Sequence, residues 1–273
     1  MRYGIRNKLI SSNIGINECY EPNVPNKSTP KPYAVIVEND DTKNGNIVGF
    51  KRNIEIWLYD ERLSFKSLDE IVKKSIEALN LQTIEDTKEN ETFTCIFNGI
   101  IENDIVDEEW DAIAKGISLT IVALHDETEA NTDEWLEALS NYTKNIITYP
   151  IYLNNWKKDF SVPSILWRVK STSNVRELNS VIKETKVIVG HIVHSDMNQI
   201  NKVLDDIEQN LIQDLKIPFN IQERRYLTIN NITENREADM LTQGQLTIEF
   251  FKRRMYYKPV ETINHIKGKG TLK

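Results

Sequence analysis

The residues of this chain best equipped for chemistry fall into four small groups. His191, His194 and Asp196 form the one histidine-rich cluster. Imidazole and carboxylate are ligands for zinc and its neighbours, provided that they converge on one point. On an extended strand, however, positions three apart face opposite sides, so the spacing favours one histidine in a core and one at a strand end. Glu102, Asp104, Asp107, Glu108, Glu109 and Asp111 form an acidic run. Its oxygens suit a hard cation, and Asp104, Asp107 and Glu108 could serve a metal-dependent nuclease. The run lacks the spacing and turn glycine of an EF-hand, which makes it a solvated hairpin connection. Cys19 and Cys95 have no partner at a ligand-like spacing and suggest neither a zinc site nor a disulfide scaffold, which fits a reducing compartment.

Other catalytic patterns are missing from the sequence. There is no Gly-x-Ser-x-Gly elbow and no phosphate-cradling glycine loop. The expectation is therefore a protein with no catalytic residues, no cofactor and no metal. Lys252, Arg253 and Arg254, continued by Lys258, Lys267, Lys269 and Lys273, form the one basic cluster. They could meet an acidic partner, or DNA through the tail 258–273. With a net charge of −7 the chain as a whole is not a general nucleic-acid binder.

The elements that must carry these groups repeat. Gly244-Gln245-Leu246-Thr247-Ile248-Glu249-Phe250-Phe251 has a near copy in Gly116-Ile117-Ser118-Leu119-Thr120-Ile121-Val122-Ala123. Both alternate as strands with one buried face. The order upstream of each copy is also the same: helix, irregular arm, β-hairpin, helix, final hairpin. This predicts an α+β protein of two similar small domains, each an antiparallel or mixed sheet of about four strands packed by helices. The boundaries are 1–125 for the first unit, 126–131 for a linker, 132–257 for the second unit and 258–273 for a basic tail. At 273 residues the length suits two domains.

Within the first unit, Tyr33–Val37 and Ile47–Tyr59 read as a hairpin, and Ser67 with Glu70 as the capping box of a helix. In the second, a helix of about four turns opens near Thr132 and Pro150 stops it; the segment 171–184 reads as a polar loop, and Asp196–Leu211 as a helix. The proline-rich arm 17–32 and the aromatic arm 151–163 have no helical or strand period. Tyr20 and Pro25 on the first arm, Tyr152, Trp156 and Phe160 on the second, and Trp57 and Tyr59 on the polar face of a strand are the expected subunit contacts. Large aromatics placed there expose apolar area unless something covers it, and a contact between the two units is the plainer alternative. No run approaches the ~20 apolar residues of a membrane span, and the start has no apolar signal core.

The pattern resembles the tail terminator, or tail-completion, proteins of long-tailed bacteriophages. The likeness is clearest from Ile165 to Val260. It runs through Ile188–Val193, the helix Asp196–Leu211, Arg225–Ile229 and Leu246-Thr247-Ile248-Glu249-Phe250, followed by Met255-Tyr256-Tyr257-Lys258-Pro259-Val260. The resemblance implies a ring, usually hexameric, that caps the tail tube protein, ends tube and sheath polymerisation and meets the neck or head-completion proteins. It also implies a place in the virion after assembly in the host cytoplasm, with DNA passing through the lumen without specific binding. A neck protein of the same particle is the neighbouring alternative. Duplication departs from the usual single unit: three chains would give six units, six chains twelve.

Overall fold

The computed structural model describes residues 1–42, 51–101, 104–124, 133–178 and 180–255. The first half consists of α1 (Arg2–Ser11), β1 (Glu18–Tyr20), β2 (Tyr33–Thr42), β3 (Lys51–Glu61), α2 (Phe65–Leu79), β4 (Thr83–Asp86), β5 (Glu91–Ile100), β6 (Ile105–Asp107) and β7 (Ala112–Ala123). The second consists of α3 (Glu134–Thr143), β8 (Ile151–Leu153), β9 (Ser164–Leu178), β10 (Val181–Val193), α4 (Met197–Asp214), β11 (Lys216–Asn220), β12 (Arg225–Glu234) and β13 (Leu246–Met255).

The two halves have one topology. The first sheet runs β1-β2-β3-β7-β5-β4, with β6 added on β7, and the second runs β8-β9-β10-β13-β12-β11. Read position by position, these orders are the same. The first pair in each sheet is parallel, and every other pair is antiparallel. A cis X-Pro bond, Lys31-Pro32 or Val162-Pro163, immediately precedes β2 and β9 alike.

The expected fold class needs correction. Strands make up 46% of the described residues and helices 23%, and the sheets are curled half-barrels rather than four-stranded layers. The extra strands are short edges. β1 and β8 lie inside the two arms, which are thereby stitched to their own sheets by parallel ladders; β4 and β11 follow the second helix of each half. Strands of three to five residues carry too little alternation to show in a sequence, and β11 even contains Pro218, tolerated because it is an edge. The segment 171–184 is not a loop. It continues β9 and β10 as a long hairpin, flanked by β13, whose outer residues from Ser171 to Leu178 are exposed.

Local chemistry explains the helices. Ser64, not Ser67, caps α2 by accepting from the Lys66 amide at 3.2 Å; Asp133 caps α3 and Asp196 caps α4 in the same way. α3 ends at Thr143, nearly two turns earlier than Pro150 suggests. In the first half, Leu68, Ile71, Val72 and Leu79 of α2, with Ile5 and Leu9 of α1, bury against Ile54, Ile56, Leu58, Leu119 and Ile121. In the second, Ile200, Val203, Leu204, Ile207 and Leu211 of α4, with Trp135 and Leu139 of α3, bury against Ile188, Leu246, Ile248 and Phe250. Each such side chain contributes about 1.5–3 kcal/mol when fully removed from water. The repeated Leu-x-Ile of the two sequence copies thus fills the same place in two cores.

Candidate interaction surfaces

A third apolar cluster joins the halves. Leu81, Val122 and Leu124 of the first meet Trp156, Phe160, Leu166, Val193 and Leu241 of the second. The β12–β13 connection, residues 235–245, pins this junction. Its Leu241 carbonyl accepts from Trp156 Nε1 at 3.0 Å, and its Asp239 carboxylate lies 3.1 Å from Lys51 Nζ of the first half. Burial pushes the Asp239 carboxyl upward, but the Lys51 ammonium and the Thr242 and Leu241 amides outweigh it and hold it below the ordinary range.

His191 sits at the base of that connection and is fully buried. Arg168 Nε donates to its Nε2 at 2.9 Å, so the ring proton resides on Nδ1, which faces the Met240 carbonyl at 3.0 Å. Burial, and then the Arg168 charge, lower its pKa to about 4. The histidine is a neutral spacer of the junction. His194, near the strand end, accepts from the Asp196 amide instead. Gln245 adds a rung to the same region, pairing through both amide atoms with the backbone of Ile192 at 2.9 Å.

The acidic run spreads out. Asp104 lies 2.8 Å from Lys115, Asp107 accepts from the Trp110 amide at 2.9 Å, and Glu108 faces Arg62 at 3.5 Å. Glu102 lies outside the described residues. No group of three or more His, Cys, Asp or Glu side chains able to hold a metal is present among the described residues. Burial raises both cysteine thiols to about 12, leaving them unreactive. A groove of ≈ 560 Å³ between α3 and the β11–β12 turn is lined by Glu134, Glu137, Asn141, Phe219 and Arg225, among others, with no nucleophile beside a base.

The residues expected to contact other subunits divide. Trp156 and Phe160 are buried inside the chain, their rings tilted by 46° with centres 4.8 Å apart in the junction, which removes them as surface anchors. Tyr152 packs beside Trp156 at 6.0 Å, and Pro25 is buried. Sequence reasoning could name these aromatics but not what covers them, because an arm residue looks the same whichever surface it meets. The others remain partly open. Tyr59 stacks between Tyr33 (4.9 Å) and Trp110 (6.1 Å), with Tyr20 edge-on to Tyr33. Trp57 lies over Gly116, where an added Cβ would come within 3.1 Å of its ring.

The basic cluster also splits. Lys252 turns inward, its ammonium 4.4 Å from the centre of the Phe219 ring and 3.6 Å from Glu184. Arg253 faces outward and grips Glu177 through two bonds of 2.6 and 3.0 Å, while Arg254 is exposed. The continuation of the cluster, and the tail 258–273, lie outside the described residues.

No protein-family model and no curated protein matches this chain. No helix among the described residues is long and apolar enough to cross a membrane.

Proposed function

We infer that the chain is a structural protein, not an enzyme, that works by assembling with copies of itself, and that its place is the ring closing the tail tube of a long-tailed phage. The observation that carries the assembly part is the apolar area that the two halves leave uncovered after joining each other. The first-half face around Leu81, Val122 and Leu124 is sealed by the second half, while the second half leaves Val175, Leu215 and Ile221 57%, 67% and 75% exposed. A monomer has little use for such area, whereas subunits of a ring need it. The setting rests on the resemblance set out above: the ring ends tube and sheath polymerisation, meets the neck proteins and sits in the virion at the tail–neck joint. Scattered, individually paired carboxylates suit a lumen through which DNA slides without being held.

The test offers purified protein to isolated tail tubes and, in a parallel arm, to portal complexes. Capture by tubes is the expected result. Capture by portals alone would move the chain to the head side of the joint, and capture by neither would overturn the phage setting.

A further inference from the structure

The second sheet narrows beyond Phe251. β12 pairs with β13 no further out than that residue, so the outer parts of β9, β10 and β13 run on together as a three-stranded ribbon. Its register fixes which side chains share a face. Val175, Lys183 and Arg253 lie abreast, and so do Arg176, Ile182 and Arg254. Ile182 and Lys183 are consecutive on one strand, so the two rows point to opposite faces. Each face of the ribbon therefore carries two cations.

Those cations are open to a partner. Arg176, Arg253 and Arg254 are exposed, and the half-buried Lys183 leans along the outer face with its ammonium 4.5 Å from the centre of the Phe251 ring. Among the described residues of the ribbon one exposed carboxylate stands against them, Glu177, and Arg253 already holds it. Glu184 is turned inward to Lys252, 3.6 Å away. Since the chain as a whole carries −7, this basic end stands on an acidic body. A polyanion is repelled by the body and drawn to the ribbon.

Charge alone would suit an acidic protein as well as a nucleic acid, but its placement on both faces separates them. A protein surface docked on a ribbon meets one face, whereas a groove of double-stranded DNA offers phosphates on two walls. A single sheet with its side chains is about 10 Å thick, the spacing at which sheets stack. The major groove is about 12 Å wide. The ribbon thus fits edge-on, and β9 is the edge that is free to lead, because β8 pairs with it only from Ile165 to Trp167. Along that edge Ser171-Thr172-Ser173-Asn174 is exposed throughout, with short hydroxyl and amide side chains of the kind that bond to phosphate and sugar.

We propose that the ribbon binds double-stranded DNA without sequence preference, β9 entering the major groove edge-on, with Arg176 and Arg254 toward one phosphate wall and Lys183 and Arg253 toward the other. Phosphate contacts of this kind position the protein and read no bases, so the hold weakens steeply with salt and lets DNA pass. The proposal goes beyond the assembly reading above. One chain carries the whole ribbon, so a monomer would bind as well as a ring.

Fluorescence anisotropy of a labelled duplex of arbitrary sequence, titrated with the full chain at two salt concentrations, tests it. With four phosphate contacts the affinity should fall on the order of 100-fold between about 50 and 200 mM salt. Arg176→Gln with Arg254→Gln removes one face, and Lys183→Gln with Arg253→Gln the other; each pair should weaken binding and cut that salt-dependent loss to about tenfold. Should either pair fail to fold by its melting temperature, Arg176→Gln or Lys183→Gln alone replaces it, with an expected loss of about 40-fold. Lys66→Gln with Lys144→Gln removes as much charge from exposed positions elsewhere and should change neither quantity. No binding at the lower salt, or an equal weakening in that control, overturns the proposal. Weakening by one face pair only, or competition by polyglutamate as effective as by unlabelled duplex, overturns it in favour of an acidic protein partner. A chain that is monomeric at every concentration and still binds in the expected way supports the proposal while sinking the assembly reading.

Discussion

The two halves of the molecule share strand order, helix placement and even the left-handed residue after the second helix, yet they spend their aromatic residues differently. In the second half, Trp156 lies edge-on to His191 with Phe160 beside it, and both are sealed by the first half. In the first, Tyr59 stacks between Tyr33 and Trp110 with Tyr20 edge-on to Tyr33, and all but the buried Tyr33 keep part of their surface open. The lesson is that duplication conserved the frame and freed the faces. One aromatic group became internal to the chain, and the other kept part of its surface open.

The largest effect should come from breaking the internal interface. Trp156→Ala should cost about 3–5 kcal/mol, as for other buried tryptophans, and should split urea unfolding into separate transitions for the two halves. Trp57→Ala, at the half-open position of the first half, should leave a single transition and shift its midpoint far less.

Acid should discriminate the halves next. His191 has a folded pKa of about 4 against about 6.5 unfolded, so its contribution is complete above pH 6.5 and is lost as the unfolded state gains a proton first, between 6.5 and 4. The loss approaches about 3 kcal/mol at pH 4. Asp86 of the first half is opposed by burial, but the terminal amine at 2.5 Å and the amides of Gly4, Glu89 and Lys88 lower its carboxyl to about 2. Its contribution persists above the usual carboxylate pKa and fades only as pH falls from there toward 2. Unfolding midpoints against pH should therefore show the junction softening before the first core.

Two glycines beside tryptophans sharpen the comparison further. An Ala at Gly190 would overlap the ring of Trp167, which is fully buried and unable to yield, so Gly190→Ala should cost about 1–3 kcal/mol by thermal melting. Gly116→Ala presses on Trp57, which has solvent on one side, and should cost less. Lys51→Ala leaves the largely buried Asp239 without its cation and should cost about 1–2 kcal/mol. The smallest effect is expected at the exposed Arg253–Glu177 pair: Arg253→Ala should leave the melting temperature of the dilute protein unchanged.

Much of this frame was legible in the sequence where periodicity was long. The hairpin strands around Ile54–Leu58, the α4 face Ile200–Leu211 and the paired Leu-x-Ile strands all stand in the structure where alternation and helical spacing place them. The edge strands were illegible because pairing with a neighbour, not their own pattern, makes them strands. The outer β9–β10 hairpin reads as a loop because its β9 arm is solvent-exposed from Ser171 to Leu178, and Ser171-Thr172-Ser173-Asn174 shows no apolar alternation there. Ser67 has the capping-box spacing to Glu70, but the helix starts three residues earlier, after Ser64. The fate of the aromatic arm depended on the fit between halves, which residue types do not encode.

The account stands or falls on whether this chain assembles. Negative-stain imaging of the purified chain, with its mass measured in the same solution, is the direct test. Closed rings whose lobes number twice the chains are the predicted result. A single species of 31.7 kDa at every concentration, with no ring in any field, would contradict it.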